Sequence, residues 1–198
     1  MTRANRSEST RQAILDTGRQ LVTHGGFAAM GLSALLKESG VPKGSFYHYF
    51  ASKEAFGRAL LRDYVDDYLA RVDAIGQRDL TGAGKFAVFC GAWLDEDRAS
   101  GLVSTCLVVN LGAEVAELSE GMRQVLDDGI AALTDRLAAM LREGQADGSL
   151  RLDAPAETLA AVFYAQLLGA AILAKLARDS RPLATVITDI ETRLQTGA

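Results

Sequence analysis

Only two cysteines, three prolines, two histidines and one tryptophan occur among the 198 residues. Cys90 and Cys106 are too few for a disulfide scaffold and too widely spaced for a zinc knuckle, so each is read as a free thiol in a reducing compartment. His24 and His48 supply no metal-ligand set, and neither a metal nor another cofactor is expected. No glycine-rich phosphate loop and no Ser-His-Asp constellation is present, which argues against an enzyme. A thiol peroxidase would use a reactive cysteine, but its α/β fold needs strands, and strand patterns are nearly absent. No apolar run approaches the ~20 residues of a membrane-spanning helix. The start, Met1-Thr2-Arg3-Ala4-Asn5-Arg6, lacks the apolar centre of a signal peptide. A cytoplasmic protein without membrane association is the expectation.

What is present is a globule with a lopsided charge. Hydrophobic residues make up 48% of the chain and its net charge is −4, so a packed core is expected and disorder is not. Residues 1–62 hold nine lysines and arginines against four acids, a local net charge of +5, and the remainder carries −9. A basic head on an acidic body is the footprint of a protein that meets a polyanion at one end.

Apolar residues recur three and four apart throughout, the spacing of helices, and the fold class is all-α. Ile14, Leu15, Leu21 and Val22 line a first helix ended by Gly25-Gly26. A second runs from Leu32 to Ser39. Gly40-Val41-Pro42 makes a turn, and a brief third helix reads Lys43 to Phe50. Ser52 caps a long fourth helix that runs through Leu69, leaving no linker between head and body. Gly82 and Gly84 punctuate the next turn, and Lys85 to Asp95 is a fifth helix. A Gly101–Gly112 segment, a long helix from Ser119 to Gly144, one opened by Asp153 as cap and Pro155, and a last one from Pro182 follow.

Two short helices around Gly40-Val41-Pro42 form a helix-turn-helix. The second must enter a major groove about 12 Å wide, so its first turn should be small or polar. Lys43, Gly44 and Ser45 meet that need, with Gly44 letting the backbone approach the duplex. Tyr47, His48 and Tyr49 offer donors to phosphates, and Lys53 a cation just beyond. Phe46 and Phe50 are core plugs. The ordered stretch Gly40-Val41-Pro42-Lys43-Gly44-Ser45-Phe46-Tyr47-His48-Tyr49-Phe50, continuing to Phe56, resembles the signature of TetR-family repressors. That resemblance implies a DNA-binding domain over residues 1–52 and a helical regulatory and dimerisation domain over 53–198. It also implies a homodimer on a palindromic operator in double-stranded DNA, and release by a small-molecule inducer. Ser45, Tyr47, Tyr49 and Lys53 then sit where such repressors touch DNA, and Lys43 where it reaches a base edge. The last two helices sit where the family dimerises, with Leu167, Gly169, Ala170 and Ile172 suited to close packing. One departure is Gly31 in place of the usual Ser/Thr cap of the second helix.

The body holds two unusual residues. Cys106 lies in Ser104-Thr105-Cys106-Leu107, and Lys175 interrupts the apolar run from Leu167 to Leu176. A buried lysine tends to lose its proton, and a nearby ammonium lowers a thiol's pKa. Met30-Gly31-Leu32-Ser33, the Cys106 segment and the place of Lys175 resemble a subgroup that represses N-ethylmaleimide reductase and glyoxalase genes. That subgroup answers to reactive electrophiles and hypochlorous acid, and related acrylate-responsive repressors share much of the pattern. The resemblance implies Cys106 as sensor with Lys175 beside it, where a sulfenic acid condenses with a neutral lysine to a sulfur–nitrogen bond. Acrylate held by Lys175 without a covalent bond is the alternative. Trp93 is expected as pocket wall or core, Cys90 as an inert buried thiol, and His24 as a cation at a helix end.

Overall fold

The computed structural model describes the backbone of residues 3–94 and 106–195 and the side chains of 7–94 and 106–194. Outside the described residues lie the expected end of the fifth helix at Asp95, the acidic Asp95-Glu96-Asp97, and the first part of the Gly101–Gly112 segment with Ser104-Thr105. Among the described residues there are nine α-helices and no strand. They are α1 (Arg3–Gly25), α2 (Leu32–Ser39), α3 (Lys43–Tyr49), α4 (Lys53–Gly76), α5 (Gly82–Gly91), α6 (Leu107–Leu118), α7 (Glu120–Ala146), α8 (Ala156–Ala177) and α9 (Arg181–Gln195).

The chain divides into two compact units, Met1–Asp66 with Asn110–Asp127, and Asp67–Val109 with Asp128–Ala198. The boundary expected after residue 52 falls inside the first unit, because α4 runs unbroken from Lys53 to Gly76. The core of that unit is built on Ile14, Leu15, Val22, Leu35, Phe46, Phe56, Leu60 and Leu61, with Leu111, Val115 and Met122 from α6 and α7. Helices α1 and α4 approach closely at Gly18, where an added Cβ would stand 2.4 Å from Phe56 Cζ. The pair is also tied by Arg19 Nη2, 2.6 Å from the Asp63 carboxylate.

In the second unit, Phe86, Phe89, Trp93, Leu137, Leu141, Phe163, Tyr164, Leu167 and Ile190 are buried. Helix α5 starts at Gly82, three residues before the expected Lys85, because its free amides meet two partners distant in sequence and the adjacent Thr81. Asp147 accepts from Gly82 N at 2.8 Å, Ser149 Oγ from Ala83 N at 3.1 Å and Thr81 Oγ1 from Gly84 N at 3.2 Å. The Ser149 side chain foremost, then the Gly82 and Ser149 amides, hold the Asp147 carboxyl below the usual carboxylate range. Gly82 also lies against α7 backbone: a Cβ there would be 2.0 Å from Gly144 N and 2.6 Å from Met140 O.

Three further expectations are corrected. Asp153 does not cap α8. Pro155 takes that position without a side-chain bond, and Asp153 binds Arg193 through both oxygens at 2.9 and 3.1 Å. The segment expected to be helical over Gly101–Gly112 is, where described, α6, which runs on to Leu118. Finally, α8 is long and apolar enough by composition to cross a membrane, with close to half of that stretch buried in the protomer. The sequence run looked too short only because Glu157 and Lys175 bracket it.

Candidate nucleic-acid interface and sensor cluster

Phe46 decides how α3 is presented. Its buried ring packs on Phe50 and Phe56 at centroid distances of 5.4 and 5.7 Å. With that side anchored, Lys43, Gly44, Tyr47 and His48 are exposed, while Ser45 and Tyr49 are half-buried. Gly40 ends α2 with φ 66°, the left-handed conformation that glycine adopts without strain. Pro42 then opens α3, its carbonyl accepting from Ser45 N at 2.9 Å. A Cβ at Gly44 would meet nothing within 4 Å, so packing within the chain does not demand a glycine there. Gly31 opens α2 with no side-chain cap bond, as its lack of a hydroxyl predicts. His24 stands exposed in the last turn of α1, Nδ1 2.9 Å from the Gln20 carbonyl.

Two of the expected DNA contacts also have partners inside the protein. Tyr49's hydroxyl oxygen accepts from Ser7 Oγ at 3.2 Å. Lys53 Nζ donates to the Ala28 carbonyl at 3.1 Å and stands 5.1 Å from the Phe27 ring centroid. The α1–α2 loop is gripped from its other side by Glu114 of α6, whose carboxylate accepts from Phe27 N at 3.1 Å and Ala28 N at 2.7 Å. Ser119, which follows α6, donates to Glu54 at 2.7 Å and accepts from Met122 N at 3.2 Å, capping α7. Glu114 has no legible role in the sequence, since its partners lie 86 and 87 residues away.

In the second unit, Cys106 is buried immediately before α6. Tyr68 and Tyr164 are buried as well, and burial pushes both phenols above their ordinary range, with the charge of an ionised Cys106 opposing each. Trp93 is 1% exposed and packs edge-to-face on Tyr164 at 6.2 Å and on Phe89 at 6.4 Å. Its Nε1 has no hydrogen-bond acceptor among the described residues. Cys90 is buried too, and burial, aided by Glu191, pushes its thiol up to about 12, so it stays protonated at neutral pH. Lys175 differs from expectation. It is exposed in the last turn of α8, because the apolar run around it is buried along one face only.

Comparison with known proteins fixes the family. Residues 14–60 match the N-terminal domain described as "Bacterial regulatory proteins, tetR family", and residues 82–190 match the "Tetracyclin repressor-like, C-terminal domain". This chain belongs to the TetR family. It is 38% identical to the HTH-type transcriptional repressor NemR of Escherichia coli K12, over 96% of each chain. It is 34% identical to the transcriptional regulator AcuR of Cereibacter sphaeroides, over 87% of this chain and 79% of that one. The crystal structure of reduced E. coli NemR superimposes with a TM-score of 0.87 over 96% of this chain and 99% of that chain. The chain is thus a DNA-binding transcription regulator, not an enzyme.

In this TetR-family chain the four residues expected at a dimer seam separate into two groups. Leu167 and Ala170 are buried within the protomer and have no surface to offer a second chain. Gly169 and Ile172 are exposed, on the α8 surface that also presents Val162, Leu173 and Leu176. Tyr68 and Tyr164, whose ionisation a charge on Cys106 opposes, were not singled out from sequence. Tyr68 lies in α4 and Tyr164 in α8, and no local pattern links either to a thiol in another segment.

Proposed function

We propose that the protein is a cytoplasmic repressor that holds a palindromic operator as a homodimer and releases it when Cys106 is modified by a small electrophile or oxidant. The observation that carries the reading is the burial of Cys106 immediately before α6, the helix whose Glu114 holds the α1–α2 loop. An adduct adds volume to a buried side chain at the N-terminal end of α6, so the first turn of α6 has to shift. Glu114 then loses its grip on the loop, and the recognition helix with it. Hypochlorous acid acts at the same atom: the thiol becomes a sulfenic acid, the chlorine is reduced to chloride, and a proton leaves. Lys175 enters through the subgroup resemblance, and its surface position suits a docking or relay role rather than a buried one.

Operator binding by the parent, Cys106→Ser and Cys90→Ser, each exposed to an electrophile, hypochlorite and acrylate, tests this. The parent and Cys90→Ser should lose affinity at least tenfold, about 1.4 kcal/mol, and Cys106→Ser should keep it. Release of Cys106→Ser by the electrophile and hypochlorite would remove the thiol switch. The second reading, a non-covalent carboxylate inducer, is favoured by the likeness to AcuR. Reversible release of Cys106→Ser by acrylate would support it.

A further inference from the structure

Two main-chain amides of the α1–α2 loop share one acceptor. The Glu114 carboxylate of α6 takes Phe27 N at 3.1 Å and Ala28 N at 2.7 Å. Gly26 makes room for it, with φ 80° and a Cβ that would stand 3.0 Å from Glu114 Oε2. Successive amides beside a left-handed residue form a nest for an anion, and this one is filled from within the chain. The carbonyl of Ala28 is engaged too. It accepts from Lys53 Nζ at 3.1 Å, and the Phe27 ring centroid lies 5.1 Å from the same nitrogen. An ammonium carries three protons, so a seat on that carbonyl leaves two for phosphate oxygens. Phe27 is itself buried close over Gly57 of α4, where an added Cβ would be 2.6 Å from Phe27 Cζ and 2.7 Å from Met122 Sδ. All of these residues belong to the first compact unit.

We propose that Glu114 is a positioning residue for operator binding: by fixing residues 26–28 it holds the seat from which the Lys53 ammonium meets a backbone phosphate. This rests on Lys53 being a DNA contact and is independent of what modifies Cys106. The effect has a sign that charge alone would not give. Removing an acid from a DNA-binding unit should, by charge, tighten binding to a polyanion. The opposite is expected here. With the loop released, the seat of Lys53 moves with it, and fixing the long side chain against a phosphate costs more entropy.

Glu114→Gln keeps the shape and removes the charge and one of the two acceptor oxygens. Operator titrations at several salt concentrations compare the whole chain with Glu114→Gln, Lys53→Ala, Tyr47→Phe, and Glu114→Gln combined with each of the other two. Glu114→Gln should weaken the operator about fivefold or more. It should also lower the salt slope toward that of Lys53→Ala, which falls by about 1. On the Lys53→Ala background it should cost nothing further, and on the Tyr47→Phe background the full amount. Hydrogen exchange at residues 26–28 should quicken in Glu114→Gln while α1 and α4 keep their rates, which reads the clamp itself in a head that is still folded. Glu114→Gln that binds as tightly as the parent or tighter would overturn the proposal, as would an equal loss on both backgrounds. So would unchanged exchange at 26–28, or exchange quickened throughout α1 and α4, which would make Glu114 a residue of the general fold. Lys53→Ala with parental affinity and slope is a separate failure: it takes Lys53 out of the DNA interface, and this inference goes with it.

Discussion

Tyr47 and Lys53 are both expected at the DNA, and their polar tips have different surroundings inside the protein. Tyr47 is exposed and touches Phe46 edge-to-face at 5.4 Å, so its ring has a structural task and its hydroxyl reaches outward. Lys53 spends its ammonium on the Ala28 carbonyl. Tyr47→Phe should therefore fold as the parent does, within about 0.5 kcal/mol. It should weaken operator and scrambled DNA alike by about fivefold, the worth of one phosphate hydrogen bond of ~1 kcal/mol. Lys53→Ala should remove a cation near phosphate, lowering the slope of log affinity against log salt by about 1, and should also loosen the α1–α2 loop. Titrations at several salt concentrations, with thermal melts alongside, separate the two. Equal salt slopes for parent and Lys53→Ala would take Lys53 out of the interface.

At the scale of elements, the head was legible because its punctuation is local. Gly40, Pro42 and Ser52 each act on residues within four positions, and the Ser52 hydroxyl accepts from Ala55 N at 3.0 Å, as its place before α4 predicts. Helix starts and roles set by distant partners were illegible. Asp147 and Ser149 reach back 65 and 66 residues to open α5, and Asp153 is drawn to Arg193, 40 residues on, rather than to its own helix. The glycines before Lys85 read as a turn for the same reason, since nothing nearby reveals that Gly82 sits against Gly144. That contact has a measurable consequence. Gly82→Ala would push a methyl into α7 backbone that cannot swing aside, and should cost about 3 kcal/mol, lowering Tm by roughly 6–12 °C. Gly84→Ala is the control, because its Cβ would meet Leu80 and Thr81 at an ordinary 3.4 Å and alanine favours the helix. Thermal melts in which both variants match the parent would mean that α5 and α7 do not approach this closely.

At the scale of the whole molecule, specificity requires more than one chain. The recognition helix spans seven residues and reaches only a few base pairs, whereas two copies, about 34 Å apart on successive major grooves, read a palindrome. The surface that suits a two-fold contact is on α8, where Ile172, Leu173 and Leu176 are 46, 58 and 77% exposed and Gly169 leaves room for close approach. Apolar groups of this size gathered on one helix mark an interaction surface rather than a solvated one. Neighbouring positions on α8 separate assembly from folding. A side chain at Gly169 meets nothing within 4 Å in the protomer, so Gly169→Leu should leave the melting temperature of the isolated chain unchanged. Its crowding should appear only between chains, weakening the dimer about 100-fold, some 2.7 kcal/mol. Ala170 is 3% exposed, so Ala170→Leu should overpack the protomer core and cost it about 1–3 kcal/mol. Sedimentation across a concentration series, paired with melts on the same samples, reads both effects. Parent protein that sediments as a monomer at every concentration, or Gly169→Leu that dimerises as tightly as the parent, would rule out this face of α8 as the seam.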